Sequence, residues 1–270
     1  MNDPLFSVIG KVVLVTGGLG QLGKQYAKTF ADRGANVVVL DQVGDSSVVG
    51  EKLGDLRGRV WYFRIDVTSR VSLEKVLVEI EAHVGIPEVL INNAAIDSPP
   101  GSPAAENGPF EDYPETSFQK VMDVNVKGVF LCCQVFGGAM ARAGKGSIIN
   151  ISSIYGIVSP DQRIYEYRKR NGPPFYKPVA YSASKSAVIN LTRYLATYWG
   201  DQRVRVNCVI LAGVFNRQDP EFLAAYCPKV PLGRMALEDE YNGTMLYLAS
   251  DGSSYMTGAS VVVDGGFTAW

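Results

Sequence analysis

The sequence predicts an α/β protein in which one doubly wound domain, residues 1–270, is built on a seven-stranded parallel sheet flanked by helices. Short apolar runs bounded by turn residues alternate along the chain with longer segments of helical period. The short runs are apolar throughout, which is typical of parallel strands covered on both faces. No linker or shift in composition divides the 270 residues, so we predict a single domain.

The predicted elements follow from these runs in chain order. We place strands at 12–15, 37–40, 60–65, 89–91, 147–151, 204–210 and 261–263. We place helices at 21–33, where Gly34 is the stop, and at 69–83, 115–143, 179–199 and 238–249. Two long segments, 96–114 and 157–178, are predicted loops, and loops of this length in a compact domain are usually functional or disordered.

The charge balance argues against a nucleic-acid partner. Lys and Arg total 26 against 27 Asp and Glu, so the net charge is −1 and there is no basic footprint. The nearest approach to a block of like charge, R-K-R at 168–170, we interpret as a solvated loop face. The N-terminus does not have the pattern of a signal peptide, and we find no apolar stretch long enough to span a bilayer. We therefore expect no membrane partner and a cytoplasmic location.

Histidine and cysteine content narrows the chemistry. His83 is the only histidine, which excludes His-based triads and most zinc sites, so we expect no metal; we predict that it lies on a helix surface. The cysteines lack C-x-x-C spacing, and we interpret them as reduced packing residues of a cytosolic protein. They are Cys132, Cys133, Cys208 and Cys227.

A glycine-rich turn directly follows the first strand and opens the first helix. It reads T-G-G-L-G-Q-L-G over residues 16–23. Without side chains, glycines let backbone N–H groups approach a pyrophosphate, and the helix N-terminus favours its negative charge. The strand before and the helix after make a dinucleotide site the favoured interpretation. The residues expected at the cofactor are Gly17, Gly20, Gln21, Leu22 and Gly23.

Acidic residues end the second and third strands. Asp41 lies 18 residues after Gly23, where a carboxylate can accept hydrogen bonds from both ribose hydroxyls and would repel a 2′-phosphate. No Arg or Lys accompanies Asp41, so NAD is favoured over NADP; alternatively, Asp41 caps the next helix. Asp66 and Val67 are candidates for holding the adenine amino group, and Asp66 could also cap the helix that begins after Thr68.

Tyr181 and Lys185 lie four residues apart at the start of a predicted helix and therefore share one face. An unperturbed tyrosine, with a pKa of about 10, is a poor base at neutral pH. A lysine ammonium within one turn stabilises the phenolate and lowers the pKa of the tyrosine. Alone, such a pair is also common among surface neighbours.

Further motifs give the pair its context, because together they resemble the short-chain dehydrogenase/reductase family over Gly10 to Gly266. The family patterns appear as Y-x-x-x-K at 181–185, N-I-S-S-x-x-G at 150–156, N-N-A-A at 92–95, N-V-x-G at 125–128 and V-D-G-G at 263–266. The resemblance implies a Rossmann-type fold and a nicotinamide-dependent oxidoreductase that interconverts an alcohol and a ketone. It also implies a homodimer or homotetramer.

The resemblance also implies roles for individual residues. Tyr181 exchanges a proton with the substrate oxygen, Ser153 hydrogen-bonds that oxygen, and Lys185 binds the nicotinamide ribose. Asn125 helps to hold a water that links Lys185 to solvent. The remaining residues expected at the cofactor are Asn93, Ala94, Ala95 and Val214.

The chain departs from the family pattern in four places. Gln21 stands where the middle glycine of the turn belongs, and Ala95 ends a motif that usually ends in glycine. Leu211 and Ala212 replace the Pro-Gly that follows strand six, which puts the local loop geometry in doubt. Finally, the 28-residue separation of Ser153 and Tyr181 is wider than the family norm.

The extra residues form an insertion at about 157–178 that is rich in aromatic and basic side chains. Such a segment suits a polar, sugar-like or nucleotide-linked substrate; alternatively, it is an exposed insertion or a subunit contact. The strings I-N-N-A-A-I-D at 91–97, G-V-F-N at 213–216 and P-L-G-R-M at 231–235 resemble oxidoreductases of bacterial sugar modification, associated with nonulosonic-acid and flagellin-glycan pathways. The side chains that give the insertion this character are Arg163, Tyr165, Tyr167, Arg168, Lys169, Arg170, Phe175 and Tyr176.

The leading hypothesis is therefore an NAD-dependent alcohol dehydrogenase or carbonyl reductase acting on a small carbohydrate-like molecule. A 3-oxoacyl-type or general carbonyl reductase is the alternative within the same class. A cofactor-binding regulator without catalysis is the alternative of another class, motivated by the altered turn and the missing Pro-Gly.

Overall fold

The computed structural model describes residues 4–44, 53, 60–97, 104–170 and 172–270. Within them, one parallel sheet has the strand order β3-β2-β1-β4-β5-β6-β7, which confirms the predicted seven-stranded sheet. Its strand ends differ from the predicted ones by one or two residues. The strands are β1 Val12–Thr16, β2 Asn36–Asp41, β3 Val60–Arg64, β4 Val89–Asn92, β5 Gly146–Ser153, β6 Val204–Leu211 and β7 Ser260–Val263.

Within the described residues, helices lie between the strands as expected, the predicted loops contain 3-10 helices such as Gln162–Arg170, and two α-helical segments differ from the prediction. The segment 220–226 was not predicted as a helix, because seven residues are too few for a clear helical period. The last predicted helix begins later than residue 238, since Glu240 accepts from the backbone N–H of Leu237 and holds 238–241 in a turn. The helices are α1 Gln21–Asp32, α2 Arg70–His83, α3 Glu115–Ala143, α4 Val179–Tyr198, α5 Pro220–Tyr226 and α6 Asn242–Ala249.

The sheet is covered on both faces, which explains why its strands are apolar throughout. Alternate residues of a strand point to opposite faces. In β1, Leu14 packs in the cluster formed with α2, α3 and α4, whereas Val13 and Val15 pack with α1 and α6. The strand order reverses between β1 and β4, and doubly wound sheets bind ligands outside the carboxyl ends of strands at this point.

Helix α3 corrects one expectation from the sequence. It has 29 residues and a mean hydropathy of 1.4 in its most apolar window, so it is long and apolar enough to cross a membrane by these two criteria. However, 61% of that window is buried inside the protein, as in the core helix of a globular fold. Two π-helical turns, Asp123–Gly128 and Cys133–Gly137, interrupt the α-helix.

A cavity of about 640 Å³ opens at the opposite, amino-terminal edge of the sheet. Two of its four basic side chains bind the end of α6: Lys11 donates to the carbonyl of Ala249, and Arg205 donates to the carbonyl of Leu248. Cations at a helix C-terminus satisfy carbonyls that lack intrahelical partners. The functional site is therefore expected at the carboxyl edge.

A buried chain of polar side chains ties the central strands to α4. The Asn92 amide donates to Oδ1 of Asn150 at 2.8 Å, and the Asn150 amide donates to Thr192 at 2.9 Å. Asn150 is fully buried, so its removal leaves polar groups without partners.

We expect Asn150→Ala to lower the free energy of unfolding by about 2–3 kcal/mol, because two buried hydrogen bonds are lost. Urea unfolding at a fixed protein concentration measures the change. Asn36→Ala is the control, since the Asn36 amide makes an exposed bond to Gly10 and should cost less than about 0.5 kcal/mol. Equal losses in the two variants would contradict the importance of the buried chain.

Candidate active site

Two adjoining cavities lie at the carboxyl edge of the sheet. The turn cavity, about 330 Å³, is lined by the glycine turn and by the ends of β2 and β3. The tyrosine cavity, about 340 Å³, is lined by the end of β5, the start of α4, the insertion and α5. They share Leu22, Asn93 and Ala95, so a ligand in one cavity could contact a ligand in the other.

The glycine turn is packed directly against the turn after β4. Gly17 has a φ of +61°, and a Cβ there would lie 2.8 Å from the Cα of Ala94. Thr16 Oγ1 accepts from the N–H groups of Asn93 and Ala94, both at 3.0 Å, and the Asn93 amide donates back to the carbonyls of Thr16 and Gly17. A Cβ on Gly23 would lie 2.2 Å from the Gly17 carbonyl oxygen, so only glycine lets α1 begin this close to the turn.

Asp41 is oriented by the backbone at the rim of the turn cavity. Its two oxygens accept from the N–H groups of Leu19 at 3.0 Å and Val43 at 3.1 Å. Arg64 is the register partner of Asp41 on β3, so the structure brings a basic residue close that sequence spacing did not indicate. The alternative in which Asp41 caps a following helix concerns residues outside the described ones.

Asp66 also lines the turn cavity, together with Val67. Its carboxylate accepts from the backbone N–H and the hydroxyl of Thr68, both at 2.8 Å, which closes a local turn. The N-cap of α2 is Ser69, whose side chain accepts from Ser72. The interpretation of Asp66 as the helix cap is therefore wrong, because Ser69 stands one position before the helix.

Tyr181, Ser153 and Lys185 meet in the tyrosine cavity. Ser153 is the last residue of β5 and forms a side-chain hydrogen bond with Tyr181, which lies in the first turn of α4. One turn further, Lys185 is only 4% exposed; its ammonium donates to the carbonyl of Ile151 at 2.9 Å and lies 5.7 Å from the Tyr181 ring centroid. Strand β5 and helix α4 thus assemble all three groups.

The pKa of Tyr181 shifts in the direction opposite to that expected from the sequence. Burial raises it above its ordinary value and the carboxylate of Asp97 raises it further, whereas the hydrogen bond with Ser153 lowers it. Burial also lowers the pKa of Lys185 to about 8. The cause is desolvation, which disfavours the charged form of both groups and outweighs their mutual attraction in the protein alone.

Asn125 lies in the first π-helical turn of α3, a feature often found at functional sites. Its side chain accepts from the N–H of Ile96 at 2.8 Å and donates to the carbonyl of Ile96 at 2.9 Å. The same amide donates to Ser184 at 3.0 Å, next to Lys185 in sequence. Asn125 therefore fixes the segment after β4 against α4, and its link to a water stays a prediction.

The insertion packs on α5 and closes one side of the tyrosine cavity. Tyr165 places its ring 5.1 Å from that of Phe175 and 5.8 Å from that of Phe222 on α5. Arg168 lies 4.3 Å over the Phe175 ring and pairs with Asp219 at 3.6 Å. Arg168 is therefore not part of a solvated face, because its guanidinium fastens the insertion to α5.

Several side chains in the tyrosine cavity had no predicted role. Lys177, at the end of the insertion, pairs with Asp97 and lies 4.7 Å from the ring centroid of Tyr181. Asp97 ends the I-N-N-A-A-I-D string at 91–97, and neither its position nor that of Lys177 gives a local signal that the two residues pair. The other unpredicted lining residues include Tyr155, Gln218, Phe222 and Tyr226.

The loop after β6 is held by hydrogen bonds in place of the missing Pro-Gly. The Tyr226 hydroxyl accepts from the N–H of Gly213 at 2.9 Å, and the Tyr241 hydroxyl donates to the carbonyl of Ala212 at 3.3 Å. The Gln21 amide donates to the carbonyl of Phe215 at 2.8 Å. Val214 consequently keeps a place in the wall of the tyrosine cavity.

Comparison with known proteins identifies the family. A family model described as enoyl-(acyl carrier protein) reductase matches residues 20–268. The chain is 30% identical over 271 residues to the NAD-dependent glycerol dehydrogenase of Listeria innocua, covering 98% of this chain and 97% of that protein. The chain belongs to the short-chain dehydrogenase/reductase family. It is therefore a nicotinamide-dependent oxidoreductase that acts on a CH–OH group.

Other members of the short-chain dehydrogenase/reductase family show how widely substrates vary. Galactitol 2-dehydrogenase of Rhizobium johnstonii is 33% identical, with 98% of both chains covered. The 3-alpha-(or 20-beta)-hydroxysteroid dehydrogenase of Mycobacterium tuberculosis is 35% identical, with 97% of this chain and 91% of that protein covered. The names of these relatives do not refer to nonulosonic-acid or flagellin-glycan modification, so they do not support that narrower resemblance.

Solved structures of the family share the fold closely. A short-chain dehydrogenase of Leptospira borgpetersenii with bound NAD+ superposes with a TM-score of 0.86 at 32% identity, covering 99% of this chain and 96% of that one. A gluconate 5-dehydrogenase of Burkholderia cenocepacia in complex with NADP and tartrate superposes with a TM-score of 0.84 at 25% identity, covering 99% and 98%. Both cofactor types therefore occur among the neighbours.

The turn cavity of this chain fits a dinucleotide. Gln21 and Leu22 line it in the first turn of α1, where helix N–H groups lack intrahelical partners and favour an anion; the N–H groups of Gly17 and Gly20 are bonded within the protein. Asp41, at the end of β2, lines the same cavity. The family assignment and the residues present thus agree.

We expect Tyr181→Phe to lower kcat about 10²- to 10⁴-fold, because the group that exchanges the proton is removed. The dissociation constant for NAD, measured by fluorescence titration, should remain close to that of the wild type. Tyr255→Phe is the matched control, since Tyr255 is fully exposed and lines neither the turn cavity nor the tyrosine cavity. A Tyr181→Phe enzyme with an unchanged rate would contradict the acid/base role.

The depressed pKa of Lys185 predicts a gain of stability on its removal. Between pH 8 and 10.5 the unfolded chain binds more protons than the folded chain, so stability rises with pH and the cost of burying the ammonium is fully present at pH 7. We expect Lys185→Met to raise the free energy of unfolding at pH 7 by about 1–2 kcal/mol while abolishing turnover. Urea titrations at pH 7 and pH 10 measure the difference, which should shrink at the higher pH. A less stable variant at pH 7 would contradict this prediction.

Proposed function

We propose that this protein is an NAD-dependent dehydrogenase that interconverts a secondary alcohol and a ketone on a small polyhydroxylated substrate, such as an alditol and its ketose. The observation that carries the proposal is that Tyr181, Ser153 and Lys185 line one cavity, which adjoins the turn cavity. A proton-exchanging group is thereby placed next to a site that fits a nicotinamide dinucleotide.

The proposed proton chemistry follows from the groups around the substrate oxygen. In oxidation, the Tyr181 oxygen takes the proton of the substrate hydroxyl, and in reduction the phenol returns it to the carbonyl oxygen. Ser153 donates a hydrogen bond to the same oxygen and stabilises the charge that develops there. Lys185 and Asn125 hold the helix and the neighbouring segment that position these groups. The nicotinamide, when bound, supplies or accepts the hydride.

The cofactor is proposed to be NAD. Its pyrophosphate would lie on the glycine turn, at Gly17, Gly20, Gln21, Leu22 and Gly23. The adenine would contact Asp66 and Val67. The proposed contacts of the nicotinamide half are Asn93, Ala94, Ala95, Val214, Tyr181 and Lys185. Asp41 supports NAD over NADP, because a carboxylate accepts from ribose hydroxyls and repels a 2′-phosphate. Its fixed orientation strengthens this argument, although Arg64 on the next strand would favour a phosphate.

We expect Asp41→Ala to lower kcat/KM for NAD about 10- to 100-fold, because hydrogen bonds to a charged group are lost, and to narrow the preference over NADP. Steady-state kinetics with both cofactors measure the ratio. Asp32→Ala is the control, since Asp32 is an exposed carboxylate at the far end of α1. An unchanged cofactor ratio in Asp41→Ala would contradict the role of Asp41.

The substrate class rests on the size and polarity of the tyrosine cavity. A volume of about 340 Å³ suits a molecule of a few carbons. The wall of the cavity combines apolar side chains with the hydroxyl of Tyr155, the ammonium of Lys177 and the carboxylate of Asp97, and a wholly apolar substrate such as a steroid would desolvate these polar groups without binding them. The names of the glycerol and galactitol relatives support the same class. Keto-sugars of glycan modification and their nucleotide-linked forms are the second candidate, motivated by the insertion.

A screen of NAD and NADH against alditols, keto-sugars and nucleotide sugars tests this proposal, with NADP(H) as the cofactor control. We expect turnover with neutral alditols and ketoses. Turnover confined to steroids or acyl thioesters would overturn the proposed substrate class. Binding of NAD without turnover of any alcohol or ketone would instead favour the alternative function, a cofactor-binding regulator without catalysis.

Location, domain organisation and assembly complete the proposal. We propose a cytoplasmic enzyme, supported by free cysteines of which Cys132, Cys133 and Cys208 are buried. Residues 1–270 are proposed to act as one domain, with the insertion on the substrate side.

A homodimer or homotetramer is proposed, supported by the exposed, stacked rings of Tyr194 and Tyr198 on α4. Light scattering would measure the stoichiometry.

A further inference from the structure

The ion pair of Lys177 and Asp97 occupies a defined position beside the reacting groups. The Lys177 ammonium lies 4.7 Å from the Tyr181 ring centroid, and its side chain is only 12% exposed, against 40% for Asp97. Both residues line the tyrosine cavity. The pair is therefore close enough to the candidate acid/base to contact a substrate bound there.

The backbone around both members is fixed from outside the pair. The N–H of Lys177 donates to Gln162 Oε1 at 2.9 Å, and the Gln162 amide donates back to the carbonyl of Lys177 at 3.4 Å. On the other side, Asn125 binds both backbone groups of Ile96, the neighbour of Asp97. Side chains held in this way are preorganised, which is what selective binding requires.

The chemistry of the pair suits hydroxyl groups. An ammonium offers up to three donors and a carboxylate only acceptors, so together they satisfy hydroxyls, which both donate and accept. The charges are opposite and adjacent, so the field of Lys177 is largely cancelled by Asp97. The other ammonium in the cavity, that of Lys185, is directed at the carbonyl of Ile151. A substrate carboxylate would therefore have to compete with Asp97 for Lys177.

We propose that the Lys177–Asp97 pair makes this enzyme select neutral polyhydroxylated substrates over hydroxy acids. A substrate hydroxyl near the reacting carbon exchanges hydrogen bonds with the pair, and Asp97 withholds the lysine charge from a carboxylate. This inference rests on the proposed function. Both substrate types occur in the names of similar proteins: galactitol is a neutral alditol, and gluconate is a hydroxy acid.

The test is Asp97→Asn, which keeps the shape of the side chain and removes its charge. We expect kcat/KM for galactitol to fall about tenfold, as for loss of a charge-assisted hydrogen bond. The ratio of kcat/KM for gluconate to that for galactitol should rise at least tenfold, because Lys177 is then free to pair with a substrate carboxylate. Lys177→Met should lose activity on galactitol without gaining activity on gluconate.

The matched control is Asp161→Asn, which removes the ion pair with Lys229 that fastens the other end of the insertion. If the Lys177–Asp97 pair only attached the insertion to the rest of the protein, Asp97→Asn and Asp161→Asn would each change kcat/KM for galactitol and for gluconate by the same factor. That result would overturn the inference. Turnover of galactitol by the wild type with an unchanged substrate ratio in Asp97→Asn would also overturn it while leaving the proposed function intact. A wild type that binds NAD but oxidises no alditol would overturn both.

The pH dependence of kcat/KM for galactitol oxidation gives a second test, because a pair that only attached the insertion would not change it. In Asp97→Asn, Tyr181 loses a neighbouring negative charge and faces an unneutralised Lys177, with Lys185, Ser153, Tyr155 and Tyr165 unchanged around it. Both changes lower the pKa of the phenol. The rise of kcat/KM for galactitol oxidation with pH should therefore shift to lower pH, and an unshifted profile would contradict contact between the pair and the reacting groups.

Discussion

The arrangement on which the active site depends is a lysine ammonium buried beneath a tyrosine ring. Such a charge is costly to bury, so its surroundings must be fixed and hydrogen-bonded. Lys185 meets this requirement through the carbonyl of Ile151, and its own carbonyl accepts from Ser152 at 2.8 Å. A Cβ on Gly156 would lie 2.9 Å from the Lys185 backbone, so the chain after β5 can pass this close to α4 only as glycine. Strand, helix and turn are therefore positioned around one charge.

The two cavities are built by different means. The turn cavity depends on backbone geometry: the glycine positions, a helix N-terminus and the hydrogen bonds between Thr16 and Asn93 fix its shape. The tyrosine cavity is completed on one side by side chains of the insertion and α5, which form a cluster that includes Tyr165, Tyr226 and Met235. A backbone site suits a cofactor shared by a whole family, whereas side chains on loops can vary with the substrate.

This division explains what could be predicted from the sequence. The sheet, its order of strands and helices, and the residues of the glycine turn have local signals, because periodicity and turn chemistry are local. Lys177, Asp97 and α5 have none: Lys177 and Asp97 are 80 residues apart, and their pairing exists only after the insertion has folded onto α5. The pKa of Tyr181 was misjudged for a similar reason, since helical spacing shows the neighbouring lysine but not the depth of burial.

Two departures from the family pattern, Gln21 and the Leu211-Ala212 that replaces Pro-Gly, are connected by a hydrogen bond from Gln21 to the loop after β6. A Pro-Gly after β6 would hold the loop through restricted backbone angles, but Leu211 and Ala212 impose no such restriction. Here the loop is held through its carbonyl and N–H groups, and Gln21, which replaces a glycine, supplies one of those bonds to Phe215. A glycine at position 21 could not make it. The Gln21 side chain therefore lines the turn cavity and also holds the loop after β6, which forms part of the wall of the tyrosine cavity. A substitution of Gln21 should consequently change the position of this loop.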